Sequence, residues 1–228
     1  RLLREAPVTV MAYDLLEEHG TDIRARPLAR RRDALAALLA PLGDAAPARL
    51  SPVLHADDWA GTAATRDTAR AHRAEGLMLK RLDAPYHAGR ASGGWWKWKL
   101  DPLTLDAVLV NARAGHGRRA GLYTDYTFAL WDGDALVPIA RAYSGLTDAE
   151  FARITAWVQR NTQARFGPVR QVTPELVFEI AFEGIRDSPR HKSGLALRFP
   201  RMARWRHDKA AAEADTLDHA RRLHAQFG

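Results

Sequence analysis

The sequence predicts an α+β fold with a boundary near residue 101, and three observations carry this prediction. In residues 1–101, short stretches with strand character are mixed with two amphipathic helices. In residues 102–209, several alternating stretches follow one another with a single helix between them. Asp101-Pro102 separates the two parts, because the residue before a proline is disfavoured in helical conformation.

The chain opens with a stretch that alternates as a strand does, from Val8 to Leu16, and Glu17–Gly20 then turns it. A helix is predicted from Pro27 to about Ala40, because proline is accepted in a first helical turn and leucines recur at helical spacing. The leucine stripe consists of Leu28, Leu35, Leu38 and Leu39. For the run Arg30–Arg32 on this helix we expect a solvated face.

Residues 41–52 read as a loop with a short extended piece after it, and a second helix follows. Asp57 or Asp58 is a suitable cap for this helix, which we expect to extend to about Arg73. The chain then continues from this helix to Glu75.

Residues Glu75 to Lys99 carry the clearest chemical pattern. Leu77–Leu79 is a short apolar run with strand character. In Trp96-Lys97-Trp98-Lys99 the alternation puts both lysines on one face and two indoles on the other. Neighbouring ammonium groups repel each other, so the pair favours a bound anion such as a phosphate between them. From the spacing alone, a β-hairpin with a solvent-exposed, basic face explains the pattern equally well.

The second part has the spacing of an all-β domain. Strands are predicted at residues 105–110, 121–131, 135–143, 176–183 and 195–199. The capping box Thr147-Asp148-Ala149-Glu150 begins a helix between the third and fourth strands. Five strands with one interposed helix suit a barrel of the oligonucleotide-binding (OB) type. Residues 210–228 form a tail that we expect to be helical.

The amino-acid composition limits the classes of function that the chain can have. The 228 residues carry a formal net charge of +7 and a pI near 10.1, which favours a polyanionic partner. The chain has no cysteine, which excludes disulfides and Cys-based zinc sites. The scattered histidines lack the spacing of zinc ligands. Without an apolar run of membrane-spanning length or a signal-peptide pattern, we expect a soluble, cytoplasmic protein.

Four motifs, in order, resemble those of the ATP-dependent DNA ligases, members of the covalent nucleotidyltransferase superfamily. They are Tyr13-Asp14-Leu15-Leu16, Glu75-Gly76-Leu77-Met78-Leu79-Lys80, Trp95–Lys99 with Asp101, and Arg198-Phe199-Pro200-Arg201 running on to Arg206-His207-Asp208-Lys209. The resemblance implies the C-terminal portion of a nucleotidyltransferase (adenylation) domain in residues 1–101. A five-stranded OB-fold barrel in residues 102–209 would follow it.

The resemblance also implies roles for individual residues. Tyr13 would stack on adenine, and Lys97 and Lys99 would hold the α-phosphate, with Lys80 in the same phosphate-facing set. Glu75 would be catalytic as a ligand of Mg²⁺. Arg206, Asp208 and Lys209 would orient the pyrophosphate of ATP. The alternatives are a packed core ring for Tyr13, an arginine-paired strand-end carboxylate for Glu75, and a surface charge cluster for the residues of the last motif.

Basic loops of the second part are candidate contacts to the DNA backbone, although a solvated loop explains each of them nearly as well. The candidates are Arg118, Arg119, Arg186, Arg190, His191 and Lys192.

The nucleophile of the family, the lysine of a Lys-x-Asp-Gly motif, has no match in these residues. We therefore expect the missing half upstream in a parent chain, and no self-adenylation by this chain alone. The expected function is that of a DNA ligase using ATP and Mg²⁺ on nicked duplex DNA, as a monomer. An RNA ligase or capping-type nucleotidyltransferase is one alternative, and an inert nucleic-acid-binding barrel is another.

Overall fold

The structure is a computed structural model that describes residues 8–43 and 46–228, with the side chain of Arg118 excepted. The chain divides into two compact units, Arg1–Leu100 and Asp101–Gly228. No helix in the described ranges is long and apolar enough to cross a membrane.

The first unit contains three small two-stranded pairings. Strand β1 (Val10–Ala12) pairs in parallel with β4 (Ala48–Leu50). Strands β2 (Glu17–Glu18) and β3 (Thr21–Asp22) form a hairpin around the expected turn. Strands β5 (Gly76–Lys80) and β6 (Trp95–Lys99) form an antiparallel pair. The predicted first strand is thus too long, since its pairing ends at Ala12.

Two helices connect these strands. Helix α1 (Leu28–Leu39) begins directly after Pro27, and its Leu28 and Leu35 are buried, whereas Leu38 is exposed. Helix α2 (Trp59–Asp67) is capped by Asp58, whose side chain accepts a hydrogen bond from the Gly61 amide at 2.7 Å. It ends six residues before the predicted end at Arg73, because a 3₁₀ turn (Ala69–His72) replaces its last part.

The expectation of a solvated face for Arg30–Arg32 is wrong for Arg31. Its side chain is 0% exposed and pairs with the Asp14 carboxylate, 2% exposed, through bonds of 2.8 Å from Nε and Nη2. The carbonyls of Arg26 and Ala84 accept its remaining donors. A buried guanidinium persists only when a carboxylate and hydrogen-bond acceptors surround it, as they do here. Arg30 remains exposed.

The second unit is built on a seven-stranded sheet. The central strand β7 (Leu103–Ala114) pairs with β8 (Tyr123–Asp132), and β8 pairs with β9 (Ala135–Ala142). On its other side β7 pairs with β11 (Val169–Val172) and β12 (Val177–Phe182). Strand β11 pairs in turn with β10 (Thr162–Phe166), and β12 pairs with β15 (Arg201–Trp205). The amide of Met202 in β15 donates to the Ser144 carbonyl just beyond β9, at 3.0 Å. Strands β7, β8, β9, β12 and β15 are thus the five strands of the expected OB-type barrel.

One predicted strand has a different partner from the one expected. The stretch predicted as the last barrel strand forms β14 (Leu195–Arg198), which pairs only with β13 (Gly184–Asp187) in a separate ribbon. The fifth barrel strand is β15, which lies inside the last of the four motifs, in residues 198–209. The hairpin β10–β11 was not predicted, because it has the composition of a polar loop.

Helices cover the sheet. Helix α3 (Asp148–Arg160) begins with the predicted capping box of Thr147 and Glu150, and it buries Phe151, Ile154 and Val158 in the core. The tail forms helix α4 (Leu217–Phe227), whose Leu217 and Ala220 belong to the same core. The tail is therefore an integral layer of this unit.

Candidate functional site

The register of the β5–β6 pair gathers three lysines on one face. Gly76 lies opposite Lys99, Met78 opposite Lys97, and Lys80 opposite Trp95. Because side chains alternate along a strand, Lys80, Lys97 and Lys99 share a face, as the alternation predicted for the last two. Trp95 lies on the same face.

An aromatic pair surrounds the Lys80 ammonium. Its nitrogen lies 4.2 Å from the ring centre of Tyr13 and 4.1 Å from that of Trp95. The two rings meet edge to face at 5.9 Å, and Tyr86 contacts Trp95 in the same way at 5.8 Å. Burial lowers the pKa of the Lys80 ammonium, and the negative charge of Asp14 opposes this shift.

Tyr13 is positioned by its neighbours and yet remains open to solvent. The next residue, Asp14, is held by the buried Arg31, and the Tyr13 carbonyl accepts a hydrogen bond from Arg32 at 3.0 Å. The residue as a whole is 47% exposed. A packed core ring would be covered, so the structure favours an available ring surface over that alternative.

Glu75 and Lys99 form an ion pair of 2.7 Å at the start of β5. The sequence offered an arginine as an alternative partner of Glu75, and the ion pair seen here is with a lysine. Gly76 follows because the backbone of β6 passes very close. A Cβ there would lie 2.7 Å from the Lys99 Cα and closer still to the Trp98 carbonyl, and φ is +141°.

Glu75 can supply only one of the several ligands that a Mg²⁺ ion requires. In the described part of the chain no three carboxylates or histidines are grouped as a metal cage would require. Mg²⁺ commonly uses one or two carboxylates, with substrate phosphates and water as its remaining ligands. The donor set therefore suits an ion that arrives with a phosphate.

The opposite face of the hairpin is aromatic. Trp98 contacts Trp59 of α2 edge to face at 5.9 Å, and the Arg66 guanidinium lies 4.8 Å from the centre of the Trp98 ring. A cleft of about 1020 Å³ lies within this unit, and its lining includes Tyr13, Lys80, Lys97, Trp96 and Trp98. Ligand pockets commonly have volumes of roughly 300–1,000 Å³, so this cleft has the size of a small-molecule pocket.

In the second unit, the residues of the last motif form one ionic cluster. Arg206 donates to Asp208 through Nε at 2.9 Å and Nη2 at 2.7 Å, and to Asp106 through Nη1 at 2.6 Å. Lys209 donates to the same Asp106 oxygen at 2.7 Å. The hydrogen bonds between them raise the pKa of the Arg206 guanidinium and lower that of the Asp208 carboxyl.

The candidate DNA contacts lie in two turns and one strand. Arg119, between β7 and β8, pairs with Asp148 at 2.8 Å. Arg190, His191 and Lys192 are exposed in the β13–β14 turn, and Arg186 is exposed in β13. The side chain of Arg118 lies outside the described part of the structure. No described contact joins the two turns, so they remain separate candidates.

Sequence reasoning missed three features of these sites. Trp95 shares the phase of the two lysines, and extending the alternation back by one residue would have found it. The Asp14–Arg31 pair spans 17 positions, which is not a helical or strand spacing. Asp106 lies 100 residues before Arg206 in an ordinary strand pattern, so no local signal marks it.

Comparison with protein families gives two matches. Residues 1–99 match the family model described as "ATP dependent DNA ligase domain". Residues 119–209 match "ATP dependent DNA ligase C terminal region". Both models describe parts of the same family, in the order in which they occur here.

Similar proteins carry related names. A probable DNA ligase of Koribacter versatilis is 37% identical over 245 residues, covering 98% of this chain and 42% of the relative. A DNA ligase of Haloferax volcanii is 40% identical over 228 residues, covering 98% of this chain and 38% of the relative. The chain thus spans about two fifths of the length of these two curated relatives. A solved structure of a Lig E DNA ligase shares the fold, with a TM-score of 0.62 at 19% identity over 89% of this chain and 65% of that chain.

Proposed function

Because the chain belongs to the ATP-dependent DNA ligase family, we propose that it forms part of an enzyme that seals nicks in duplex DNA with ATP. The reaction passes AMP from ATP to a lysine, then to the 5′-phosphate of the nick, and the 3′-hydroxyl finally displaces AMP. The relatives are named DNA ligases, which favours DNA over the RNA-ligase and capping alternatives.

One observation carries the proposal: an exposed aromatic ring lies beside a strand face that bears three lysines. Tyr13 offers a stacking surface for adenine, and aromatic–base stacking contributes roughly 1–3 kcal/mol. Lys97 and Lys99 project from the same face of β6, where they can stabilise charge that develops on the α-phosphate. These are positioning and electrostatic roles, as phosphoryl displacement requires.

Lys80 acts next to the base in this proposal. Its ammonium lies against the ring of Tyr13, so adenine can stack only on the part of the ring that Lys80 leaves open, or after Lys80 moves. Either way its charge stays near the nucleotide. Glu75 would help to hold Mg²⁺, which neutralises phosphate oxygens when bound.

The second unit would contribute the remaining contacts. Arg206 and Lys209 would bind the pyrophosphate of ATP in the first step. The exposed cations of the β13–β14 turn, together with Arg119, would contact the backbone of nicked duplex DNA. A cytoplasmic location is part of the proposal, because ATP and DNA are the substrates. The nucleophilic lysine must come from residues outside these 228, since no Lys-x-Asp-Gly occurs among them.

The test uses the complete polypeptide that supplies the nucleophile, on a nick that already carries AMP. Sealing of such a nick requires neither ATP nor the lysine, so it isolates the groups of this chain. Lys97→Ala or Lys99→Ala should each lower the single-turnover rate by about 10²–10³-fold, because each removes a donor aimed at transition-state charge. Arg90→Ala, an exposed cation in the loop between β5 and β6, should stay within about threefold of the parent. If both lysine variants seal at the parent rate, the proposed site is wrong.

A further inference from the structure

We propose that Asp106 is an internal counter-anion, which competes with a polyphosphate for Arg206 and Lys209. The two cations would exchange between this buried carboxylate and the phosphate oxygens of the ligand. The inference rests on the proposed function only for the identity of that ligand as ATP. The competition itself follows from the cluster.

The geometry makes Asp106 the centre of the cluster. A single oxygen, Oδ2, accepts from both Arg206 at 2.6 Å and Lys209 at 2.7 Å. The side chains of Asp106 and Arg206 are only 11% and 13% exposed, whereas that of Asp208 is 64% exposed. Charge-assisted bonds of this length in a poorly hydrated place are strong. Asp106 is therefore the carboxylate that Arg206 and Lys209 share, whereas the bidentate contact of Asp208 is with Arg206.

The formal charges of the four side chains in the cluster cancel, so these side chains offer no net positive charge to a further anion. Two cations, Arg206 and Lys209, face two carboxylates, Asp106 and Asp208. A phosphate that approached this arrangement would meet no net positive charge and one exposed carboxylate. An anion can therefore bind these cations well only by replacing a carboxylate.

Asp106 is the fixed member of the cluster. Its amide donates to the Asp215 side chain at 2.8 Å, and its carbonyl accepts from the Asp215 amide at 2.8 Å. The amide of Arg206 donates to the Val177 carbonyl at 2.9 Å, and Lys209 follows in a turn closed by a 3.3 Å bond from its amide to the Arg206 carbonyl. During exchange, the long side chains of Arg206 and Lys209 should therefore swing away while the backbone and the short Asp106 carboxylate stay.

The second oxygen of Asp106 makes the release easier. Oδ1 is buried, and no residue in the described ranges donates a hydrogen bond to it. A buried polar atom without a partner is costly, and the benefit of the ion cluster is reduced accordingly. A ligand with several phosphates offers Arg206 and Lys209 separate oxygens, whereas Asp106 binds both through one oxygen. Polyphosphates should thus displace Asp106 where sulfate does not.

The experiment measures binding of inorganic tripolyphosphate to the 228-residue chain by calorimetry, without metal or DNA. Asp106→Asn should bind about tenfold more tightly than the wild type, because it frees Lys209 and the Nη1 of Arg206 from a carboxylate and keeps the shape of the side chain. Asp125→Asn is the matched control: it removes one carboxylate, the partner of Arg141, from the same unit. Both variants gain the same net charge, so a general electrostatic effect would raise the two affinities equally.

A double variant locates the gain. Asp106→Asn combined with Arg206→Ala should return the affinity to that of the wild type. If Asp106→Asn melts cooperatively and binds no more tightly than Asp125→Asn, Asp106 has only a structural role and the proposal is wrong.

A second measurement covers the case in which Asp106→Asn does not fold. In the ¹⁵N-labelled wild type, the Nη–H resonances of Arg206, whose Nη1 donates to Asp106, should move when tripolyphosphate is added and remain in place with sulfate at equal ionic strength. An unchanged resonance under saturating tripolyphosphate would overturn the exchange. None of these assays involves nick sealing, so their failure and a failure of the proposed function are distinguishable.

Discussion

Two adjacent arginines of α1 behave differently because of what surrounds them. Arg30 faces solvent, while Arg31 is enclosed with Asp14 and two backbone carbonyls. Breaking a buried ion pair by removing one partner leaves the other charge buried and uncompensated. Arg31 therefore connects α1 to the segment that carries Tyr13.

Arg31→Met should destabilise the first unit by about 3–5 kcal/mol, because it leaves the Asp14 carboxylate buried without a positive partner. Arg30→Met serves as the control and should change the free energy of unfolding by less than about 0.5 kcal/mol. Urea denaturation followed by tryptophan fluorescence compares them, since four of the seven tryptophans, Trp59, Trp95, Trp96 and Trp98, lie in this unit. Equal stabilities for the two variants would contradict the buried pair.

Tyr13 is the residue at which stacking can be tested by itself. Tyr13→Ala should weaken AMP binding by about 1–3 kcal/mol, while Tyr13→Phe keeps the ring and should change it little. Tyr143→Ala, an exposed tyrosine of the second unit, should have no effect. Fluorescence titration of the 228-residue chain with AMP gives the three affinities. If Tyr13→Ala binds as tightly as the wild type, the ring does not stack on adenine.

The β5–β6 hairpin is the element that assembles the lysine face, and Gly76 sets its close approach. No other residue type tolerates both its φ of +141° and the nearby backbone of β6. This gives a physical reason for a glycine next to Glu75 in the motif.

Gly76→Ala should therefore destabilise the hairpin by about 2 kcal/mol or more, through strain and a backbone clash. Gly94→Ala is the matched control, because a Cβ there lies 3.6 Å from the Ala84 side chain and meets ordinary contact. Near-ultraviolet circular dichroism reports the tryptophans of the pair during thermal unfolding. A Gly76→Ala variant with the wild-type spectrum and midpoint would show that the backbones can separate at no cost.

The sequence predicted elements well wherever the pattern was local. The lysine face of β6 and the capping box of α3 follow from spacing over four or five residues. The fifth barrel strand was mistaken because β14 and β15 both alternate, and only the pairing of β15 with β12 distinguishes them. The partners of Arg31 and Arg206 depend on long-range contacts, which spacing does not encode.

Over the whole molecule, the excess of positive charge indicates how nucleic acid should be bound. Many arginines are neutralised locally, such as Arg141 by Asp125 and Arg204 by Glu179. The cations of the β13–β14 turn stand apart, since no carboxylate within the described residues forms an ion pair with Arg190 or Lys192. They are the best-supported contacts among the candidates.

Binding to nicked duplex DNA should be insensitive to sequence and strongly dependent on salt. For about four to six phosphates contacted, log K should fall with log salt with a slope of about −4 to −5. Arg190→Ala with Lys192→Ala should flatten it by about one unit per lost contact. Arg24→Ala with Arg26→Ala removes the same charge from the first unit, where both residues pair with carboxylates. Filter binding at several salt concentrations measures the slopes, and equal flattening by both pairs would count against the turn.

The tail after residue 209 has a consequence for anyone who moves this barrel between proteins. The family match ends at residue 209, yet Asp215 hydrogen-bonds the backbone of Asp106 and Trp131 donates to the Ala211 carbonyl at 2.8 Å. A graft cut at the edge of the match would discard both contacts and remove Leu217 and Ala220 from the core. The transplantable module is therefore longer than the region by which the family is recognised, and it includes α4.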